Sequence, residues 1–409
     1  EAEKRAFYEG KAVPAGVFSK WEKMSKTKGN IIDPLEMIEK YGTDSVRMAL
    51  AASATQARQI DLDFRRFEEF KNFTTKLWNG SRFVLMHLRG DSTKGTSPLS
   101  SNAFFQGIQI EELLLEDRWI LSLIAKTVQE VTEHLDKYQF DQAAQKSYNF
   151  FWKEFCAYYV EISKPILNGK LGTAQQRETK QKVLVLVLSQ SIRLLHPIAP
   201  FVTEELFHAL QEQLPLAPLG KNVDSLTQEV AASMQAACCA LSPYPAAHSW
   251  VEEELISRFA LIEELVYTLR NLRGEMQLAP GVSTPLVIVR DLQDTDREWV
   301  EAHQNILRAL VPLENIVCSL EPPSGLAAMA PFRQMRLFLP LPAQLLAQEK
   351  TRLSKESEKL QSSLDKLSLQ LQNTDFLAKA PTKVVDTLMQ QKQQTESALA
   401  VIYHKLRSL

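Results

Sequence analysis

The sequence predicts a mainly α-helical protein that contains one small α/β unit and ends in an antiparallel coiled-coil hairpin. Apolar residues recur at helical spacings of three and four through most of the first 249 residues. Short runs of β-branched residues fall between positions 285 and 340, and leucines repeat every seven residues near the end of the chain. With 409 residues, 45% of them hydrophobic, the chain can bury several separate cores.

Composition argues against several classes of protein. The chain has 47 Lys+Arg against 49 Asp+Glu, so nucleic-acid binding must be argued from local patches. The longest aliphatic run, residues 183–188, is far shorter than the ~20 apolar residues of a membrane span, so we expect no membrane partner. The four cysteines form no Cys-x-x-Cys pair. We therefore expect no disulfide scaffold, no protein-bound metal and a cytoplasmic location.

The first predicted helices are defined by their ends. Asp33, Pro34 and Glu36 supply an N-cap acceptor, a proline at the first helical position and a carboxylate at the third. Gly42 is suited to end this helix, and Thr43 can open the next one.

A helical bundle is predicted to follow. Residues 65–88 carry an apolar face, and residues 91–98 have the composition of a loop. Three more helical patterns come next, the last ending before Pro197, and a short helix restarts near Pro200. These three patterns cover residues 116–138, 140–167 and 179–195.

The predicted secondary structure changes after residue 249. A helical pattern over residues 251–275 precedes β-branched or apolar runs at 285–290, 315–320 and 335–340. Runs of this length, bounded by turn residues, are typical of strands, so we expect a small α/β unit here.

The last part of the chain carries a heptad seam. Leu346, Leu353, Leu360 and Leu367 lie seven residues apart, residues 373–381 interrupt the pattern, and a second helical pattern follows. Because the interruption falls midway, we expect the two helices to pair as an antiparallel hairpin within a monomer. The alternative is an intermolecular coiled coil that dimerises the protein.

Residues 20–28 form a short cationic segment with four lysines and one acidic residue. Mobile ammonium groups suit a polyphosphate, because they can follow charge as it shifts between ground state and transition state. Charge alone equally describes a solvated lysine-rich loop, which most such clusters are.

The order of the residues points further. Lys23-Met24-Ser25-Lys26-Thr27 resembles the Lys-Met-Ser-Lys-Ser loop of class I aminoacyl-tRNA synthetases. The residues that follow, through Tyr41-Gly-Thr-Asp44-Ser-Val-Arg47, resemble the stem-contact region of the subgroup for valine, isoleucine, leucine and methionine. The resemblance implies that Lys26 holds the phosphates of ATP with Lys23 in support, which makes both catalytic candidates. Met24 and Ser25 would shape this ATP-binding loop.

The second nucleotide motif of that family, of the His-Ile-Gly-His type, is not found in the 409 residues. We therefore expect the chain to begin in mid-protein and to be inactive alone. ATP with Mg²⁺, and valine, would bind through a preceding catalytic domain.

One face of the helix predicted at residues 65–88 is polar. At ~100° per residue, five side chains fall within roughly 60° of one another. Arginine, lysine and asparagine with one aromatic ring suit single-stranded RNA, because the ring stacks on a base while polar groups bind base edges and phosphates. A solvated face with its ring covered by a neighbour is equally compatible with the residues alone. The five residues are Arg65, Asn72, Lys76, Asn79 and Phe83.

The surrounding sequence, residues 72–85, resembles the first anticodon-domain helix of valyl-tRNA synthetases. This resemblance implies that Arg65, Lys76 and Phe83 lie at the anticodon of a bound tRNA(Val), and the helical spacing places Asn72 and Asn79 beside them as further anticodon candidates.

The end of the chain from Leu353, including an Ala-Pro turn at Pro381, resembles the coiled-coil arm of the same family. An isoleucyl enzyme would carry a late cysteine cluster, which the sequence lacks. Another synthetase of the isoleucine, leucine and methionine subgroup, or a non-enzymatic coiled-coil adaptor, are the alternatives.

The resemblance divides the chain into four parts. Residues 1–64 would end the catalytic domain, 65–249 would form the anticodon-binding bundle, 250–342 a connecting α/β domain, and 343–409 a tRNA-binding arm. The whole protein would activate valine with ATP and transfer it to tRNA(Val).

Local charge supports the arm as an RNA contact. Residues 349–407 carry ten Lys/Arg against seven acidic residues. A basic rod favours phosphate contact without base readout, although a solvated coiled coil with ordinary surface lysines has the same composition. The predicted contact groups are Lys350, Arg352, Lys355, Lys379 and Lys383.

Overall fold

The early helices begin and end at the capping residues that the sequence supplies. The Asp33 side chain accepts a hydrogen bond from the Leu35 N–H at 2.9 Å, ahead of the helix Pro34–Tyr41. Gly42 ends that helix with φ at 89°. Both features confirm the predicted helix. The structure is a computed structural model that describes residues 22–55, 62–90, 96–290, 295–324, 327–333, 335–340, 343–372 and 382–408.

Helices make up 68% of the structure, which confirms the mainly α fold class. They are α1 Pro34–Tyr41, α2 Thr43–Ser53, α3 Phe64–Arg89, α4 Ser101–Phe104, α5 Leu115–Asp136, α6 Phe140–Asn149, a π-helical segment Phe150–Tyr159, α7 Val160–Leu167, α8 Ala174–Leu195, α9 Pro200–Gln213, α10 Ser225–Ser233, α11 Glu253–Glu275, α12 Thr295–Ala302, α13 Gln304–Leu310, α14 Ala343–Gln372 and α15 Thr382–Ser408.

The chain forms two compact units, residues 1–261 and 262–409. In the first unit, α3 buries its apolar face against the π segment. The approach is close at Gly80, because a Cβ there would lie 2.8 Å from the Cys156 Sγ and 3.3 Å from the Phe151 ring. A glycine in mid-helix therefore lets the two backbones pack at short range.

The stretch 140–167 was predicted as one α-helix, and the structure places a π-helical turn in its middle. The Val160 N–H bonds to the Phe155 carbonyl, five residues back. Phe151, Phe155 and Tyr159 are fully buried along one side of this segment. Sequence period could not predict the change, because ten residues are too few to separate 3.6 residues per turn from a wider turn.

Helix α8 is the central rod of the first unit. It begins at Ala174, five residues before the predicted start, because Thr173 and Gln176 form a reciprocal capping box. Every residue from position 179 to 195 is buried, including Lys180. Its ammonium reaches carboxylates of the neighbouring helix α5 at Glu116 (2.5 Å) and Asp117 (2.7 Å).

Side chains of α2 bind the entrance to α9. The Asp44 carboxylate accepts hydrogen bonds from the backbone N–H groups of Phe201 (3.2 Å) and Val202 (2.6 Å). The Arg47 guanidinium donates to the carbonyls of Pro197 (3.1 Å) and Ile198 (2.9 Å). The segment that follows the cationic loop is therefore fixed to the helical bundle.

The second unit contains a four-stranded sheet with strand order β2-β1-β4-β3. Strands β1 and β2 are parallel, and the other two pairs are antiparallel. The strand β3 was not predicted, because it is alanine-rich and holds Pro331, which is tolerated at the edge of a sheet. The strands are β1 Thr284–Arg290, β2 Leu313–Ser319, β3 Ala327–Phe332 and β4 Met335–Pro340.

Helices α14 and α15 pack along each other. Leu353 of α14 and Leu399 and Ile402 of α15 are buried in the described part of the seam. The nine residues that join the helices reach at most ~32 Å, whereas α14 is ~45 Å long, so the helices run antiparallel. The predicted hairpin is confirmed as part of the fold, while its interruption at 373–381 lies outside the described residues. Over the described part of the chain, no helix combines the length and the apolar content needed to cross a membrane.

Candidate nucleic-acid interface

The cationic loop is held by hydrogen bonds from its own residues. The Asn30 side chain accepts from the Ser25 N–H at 2.7 Å and donates to the Lys23 carbonyl at 3.4 Å. The hydroxyls of Ser25 and Thr27 bond to each other at 2.8 Å. Gly29 closes the short 3₁₀ turn Lys26–Lys28 at φ 63°, a left-handed conformation that favours glycine.

The lysines of this loop differ in their partners. Lys28 forms an ion pair with Glu22, whereas neither Lys23 nor Lys26 forms one within the described residues. Both of these side chains are exposed, and Met24 beside them is also exposed. Within the described part of the loop, the two cations that the family resemblance selects are therefore available to an anionic ligand.

The polar face of α3 is at the surface, opposite the buried phenylalanines. Arg65, Asn72 and Asn79 are exposed, and Lys76 and Phe83 are half-buried. All five predicted anticodon residues thus lie on one accessible side of the helix.

Arg65 is oriented by the residue that caps α3. Its guanidinium bonds to the Asp63 carboxylate at 2.5 and 2.7 Å, and the Asp63 side chain also accepts from the Arg65 N–H at 2.8 Å. The hydrogen bond from the Arg65 side chain is the main reason that the pKa of Asp63 is lowered. The cap therefore fixes the start of the polar face.

Phe83 is partly covered by its neighbours. Its ring centroid lies 4.2 Å from that of His87, and the Lys164 ammonium lies 5.7 Å from the same ring. The His87 Nδ1 bonds to the Phe83 carbonyl at 2.9 Å. The half-buried ring has an accessible surface on which a base could stack, and it also has packing partners. The structure is therefore compatible with a base-stacking role and with a packing role for Phe83.

Two aromatic residues that the sequence reasoning missed lie against this face. Tyr148 of α6 and Trp152 of the π segment stack with centroids 5.7 Å apart and planes 17° from parallel. The Lys76 ammonium lies 5.8 Å from the Trp152 ring centroid. The aromatic-rich run between residues 148 and 159 was the available signal. The pair lines a surface depression of about 430 Å³ together with Arg65, Glu68, Glu69 and Asn72.

The arm residues can be placed only in part. Lys350 and Lys355 of α14 are exposed. Lys379 lies outside the described residues, and so do the side chains of Arg352 and Lys383. The arm contacts stay a prediction.

Three other titratable side chains have surroundings typical of structural residues. Burial lowers the pKa of His196, whose Nδ1 bonds to the Thr203 hydroxyl at 2.8 Å. Burial raises the pKa of the Cys156 and Cys239 thiols to about 12, so both stay protonated at neutral pH. Among the residues that the structure describes, no three His, Cys, Asp or Glu side chains are grouped as metal ligands.

Three family models match the chain in order. Residues 17–63 match the class I tRNA synthetases for isoleucine, leucine, methionine and valine. Residues 117–288 match the anticodon-binding domain of tRNA ligases. Residues 346–409 match the tRNA-binding arm of valyl-tRNA synthetases. A valine–tRNA ligase of Protochlamydia amoebophila is 54% identical over the whole chain, and that of Chlamydia felis is 38% identical over 99% of it.

The chain belongs to the valyl-tRNA synthetase family. It spans 43% of the length of the Protochlamydia protein and 42% of the Chlamydia one, and it matches a C-terminal part of them. A crystal structure of a leucyl-tRNA synthetase from Agrobacterium radiobacter, in a ternary complex with tRNA, is also similar. The match covers 73% of the present chain and 31% of the leucyl enzyme, with 18% identity and a TM-score of 0.34.

Some of the candidate residues lie inside the matched segments of this synthetase family, and others lie between them. The cationic loop lies inside the class I match. The polar face of α3 lies between the first two matches, whereas Tyr148 and Trp152 lie inside the anticodon-binding match.

Proposed function

We propose that this chain is the tRNA-facing part of a valine–tRNA ligase. The whole enzyme would join valine to ATP as valyl-adenylate with release of pyrophosphate, and would then transfer the valyl group to the 3′ end of tRNA(Val). The observation that carries this proposal is the 54% identity with a valine–tRNA ligase over the entire chain, which includes the arm. We propose that it acts as a monomer in the cytoplasm, divided into the four domains given above.

The loop at residues 23–26 would meet the phosphates of ATP. The exposed ammonium groups of Lys23 and Lys26 fit this role, because both are without ion pairs among the described residues. Magnesium would neutralise part of the phosphate charge when bound with ATP. Lys26 would stabilise the charge that develops on the leaving pyrophosphate, while Lys23 holds the ground state and the Asn30 hydrogen bonds keep the turn closed.

The polar face of α3 would read the anticodon. Arg65 and Lys76 would bind phosphates, Asn72 and Asn79 would bond to base edges, and Phe83 would stack on a base. Burial of the opposite face against the bundle supports this assignment, because a rigid helix presents its side chains with little loss of entropy.

The arm would brace the body of the tRNA. Exposed Lys350 and Lys355 support this role, and Arg352, Lys379 and Lys383 are proposed to act with them. Contacts of this kind supply affinity that depends on salt and carries little sequence information.

Binding of tRNA(Val) to the chain tests the proposal. The chain should bind tRNA(Val), and Arg65→Ala or Lys76→Ala should each weaken binding and reduce the slope of log K against log salt by about one. It should make no valyl-adenylate alone. Valine-dependent exchange between ATP and pyrophosphate by the chain alone, or a chain that binds no tRNA, would contradict the proposal. Tyr267→Ala, at an exposed aromatic residue on α11, is the control for a surface change elsewhere.

A further inference from the structure

The depression beside α3 is built on a rigid aromatic floor. The Tyr148 ring rests on buried Phe70 and Phe73, with centroid distances of 5.7 and 4.8 Å. Trp152 stacks on Tyr148 and lies 6.5 Å from Phe73 at an interplanar angle of 23°. Both upper rings are half-buried, so part of each ring faces the depression. Such preorganised aromatic surface is what a planar ligand requires.

The rim of the depression offers hydrogen-bonding groups. Within the part of the chain that the structure describes, the Trp152 indole N–H and the Tyr148 hydroxyl form no hydrogen bond to a protein group. Glu69 is 3.7 Å from Arg66, whereas Glu68 is exposed and has no ion pair with any described residue. Asn72 can both donate and accept.

These groups select among planar ligands. The carboxylates of Glu68 and Glu69 would repel a phosphate placed beside them, whereas Arg65, which also lines the depression, can bind a phosphate of the same strand. An aromatic floor with acceptors at its edge suits a nucleobase that presents an exocyclic amino group, such as adenine or cytosine. Uracil presents a carbonyl oxygen in place of that amino group and can offer only its N3–H, so it would bind the Glu68 carboxylate less well. The volume of about 430 Å³ is within the range of small-molecule sites.

We propose that this depression is a second base site, separate from Phe83, in which Tyr148 and Trp152 stack on one unpaired base of the anticodon loop and Glu68 accepts a hydrogen bond from its amino group. The inference rests on the proposed function, because it takes the bound RNA to be tRNA(Val). It adds a second stacking surface and a carboxylate acceptor to a face that otherwise supplies cations, two amides and one ring.

The test uses the chain and an RNA hairpin that copies the anticodon arm of tRNA(Val), with binding followed by fluorescence anisotropy. Trp152→Ala should weaken binding roughly 5- to 150-fold, as expected for loss of one stacked base. Trp152→Phe should retain most of the affinity. Trp78→Ala is the matched control, because Trp78 is an exposed tryptophan of α3 that does not line the depression.

Base replacement identifies the occupant. Replacing the loop nucleotides one at a time by an abasic residue should reveal one position whose loss is costly for the unaltered chain and costs nothing more in Trp152→Ala. At that position, uridine should bind about tenfold or more weakly than the amino-bearing base, and Glu68→Ala should abolish this preference. Glu205→Ala, at an exposed acid of α9, should leave the preference unchanged.

The outcomes separate this inference from the proposed function. If the hairpin binds and Phe83→Ala weakens it, but no position couples to Trp152 and Glu68→Ala leaves base preference intact, the second base site is wrong and the proposed function stands. If neither tRNA(Val) nor the hairpin binds the unaltered chain, the proposed function fails and the base site with it. Because Glu68 is exposed, Glu68→Ala answers the question even if Trp152→Ala unfolds the bundle.

Discussion

The helical bundle and the C-terminal hairpin would both bind RNA, yet they are built in different ways. In the bundle, α3 packs through its own fully buried Phe70 and Phe73, and α8 is buried over seventeen consecutive residues. In the hairpin, the described seam buries Leu353, Leu399 and Ile402, and most other seam residues are half-exposed. A deeply packed scaffold can hold rings and amides in fixed positions for base recognition. A two-helix rod presents cations, which need little positional accuracy to attract phosphates.

The largest expected effect is a loss of stability of the helical bundle. Lys180→Met leaves the buried carboxylates of Glu116 and Asp117 without their cation, and we expect a loss of about 3–5 kcal/mol in the free energy of unfolding. Chemical denaturation followed by circular dichroism measures it. Lys182→Met is the control, because its partner Glu178 reaches solvent, and it should cost less than about 1 kcal/mol. Equal losses would mean that the buried cluster has no special role in the rigidity of the bundle.

The next effect separates chemistry from RNA binding. In a full-length ligase that contains this chain, Lys26→Ala should slow adenylate formation on the order of 10²-fold, because a preorganised cation is removed from the phosphates. Lys28→Ala should matter less, since Lys28 is already paired with Glu22. Exchange between ATP and pyrophosphate without tRNA is the measurement. Similar losses for the two variants would show that only the total charge of the loop counts.

Phe83 tests whether the helical bundle recognises a base by stacking. Phe83→Ala should reduce the free energy of tRNA binding by roughly 1–3 kcal/mol, because stacking on a base is lost. It should leave exchange activity without tRNA unchanged. The thermal unfolding midpoint must be measured beside the affinity, since Phe83 also contacts His87. A variant that unfolds more easily but binds normally per folded molecule would assign Phe83 to packing.

The smallest effect is expected for the arm. Deleting residues 343–409 from the full-length ligase should raise the KM for tRNA several-fold, because phosphate contacts are lost. Adenylate formation and discrimination between anticodons should stay nearly unchanged. Light scattering serves as the second measurement. If deletion leaves aminoacylation kinetics intact and converts a dimer into a monomer, the heptads are an oligomerisation device rather than an RNA contact.

Local signals in the sequence were enough for many of these features. Capping by Asp33 and Gly42 predicted the ends of α1, because a cap bonds to backbone groups two to four residues away. The heptad leucines predicted the hairpin, and the order Lys-Met-Ser-Lys identified the family. The period of 3.6 also placed four polar residues and Phe83 of α3 on one accessible face.

Other features were decided only by tertiary packing. The sequence did not indicate that Tyr148 and Trp152 would lie beside Arg65 and Asn72, since these pairs are more than seventy residues apart. Nor did it predict the π-helical turn, the edge strand β3, or the different pairing of Lys26 and Lys28. Helix caps and hydrophobic periods depend on residues that are close together in the chain, so they can be inferred from the order of the residues. Which surfaces meet, and which charges find partners, depends on the packing of whole helices, and that information is spread over the entire sequence.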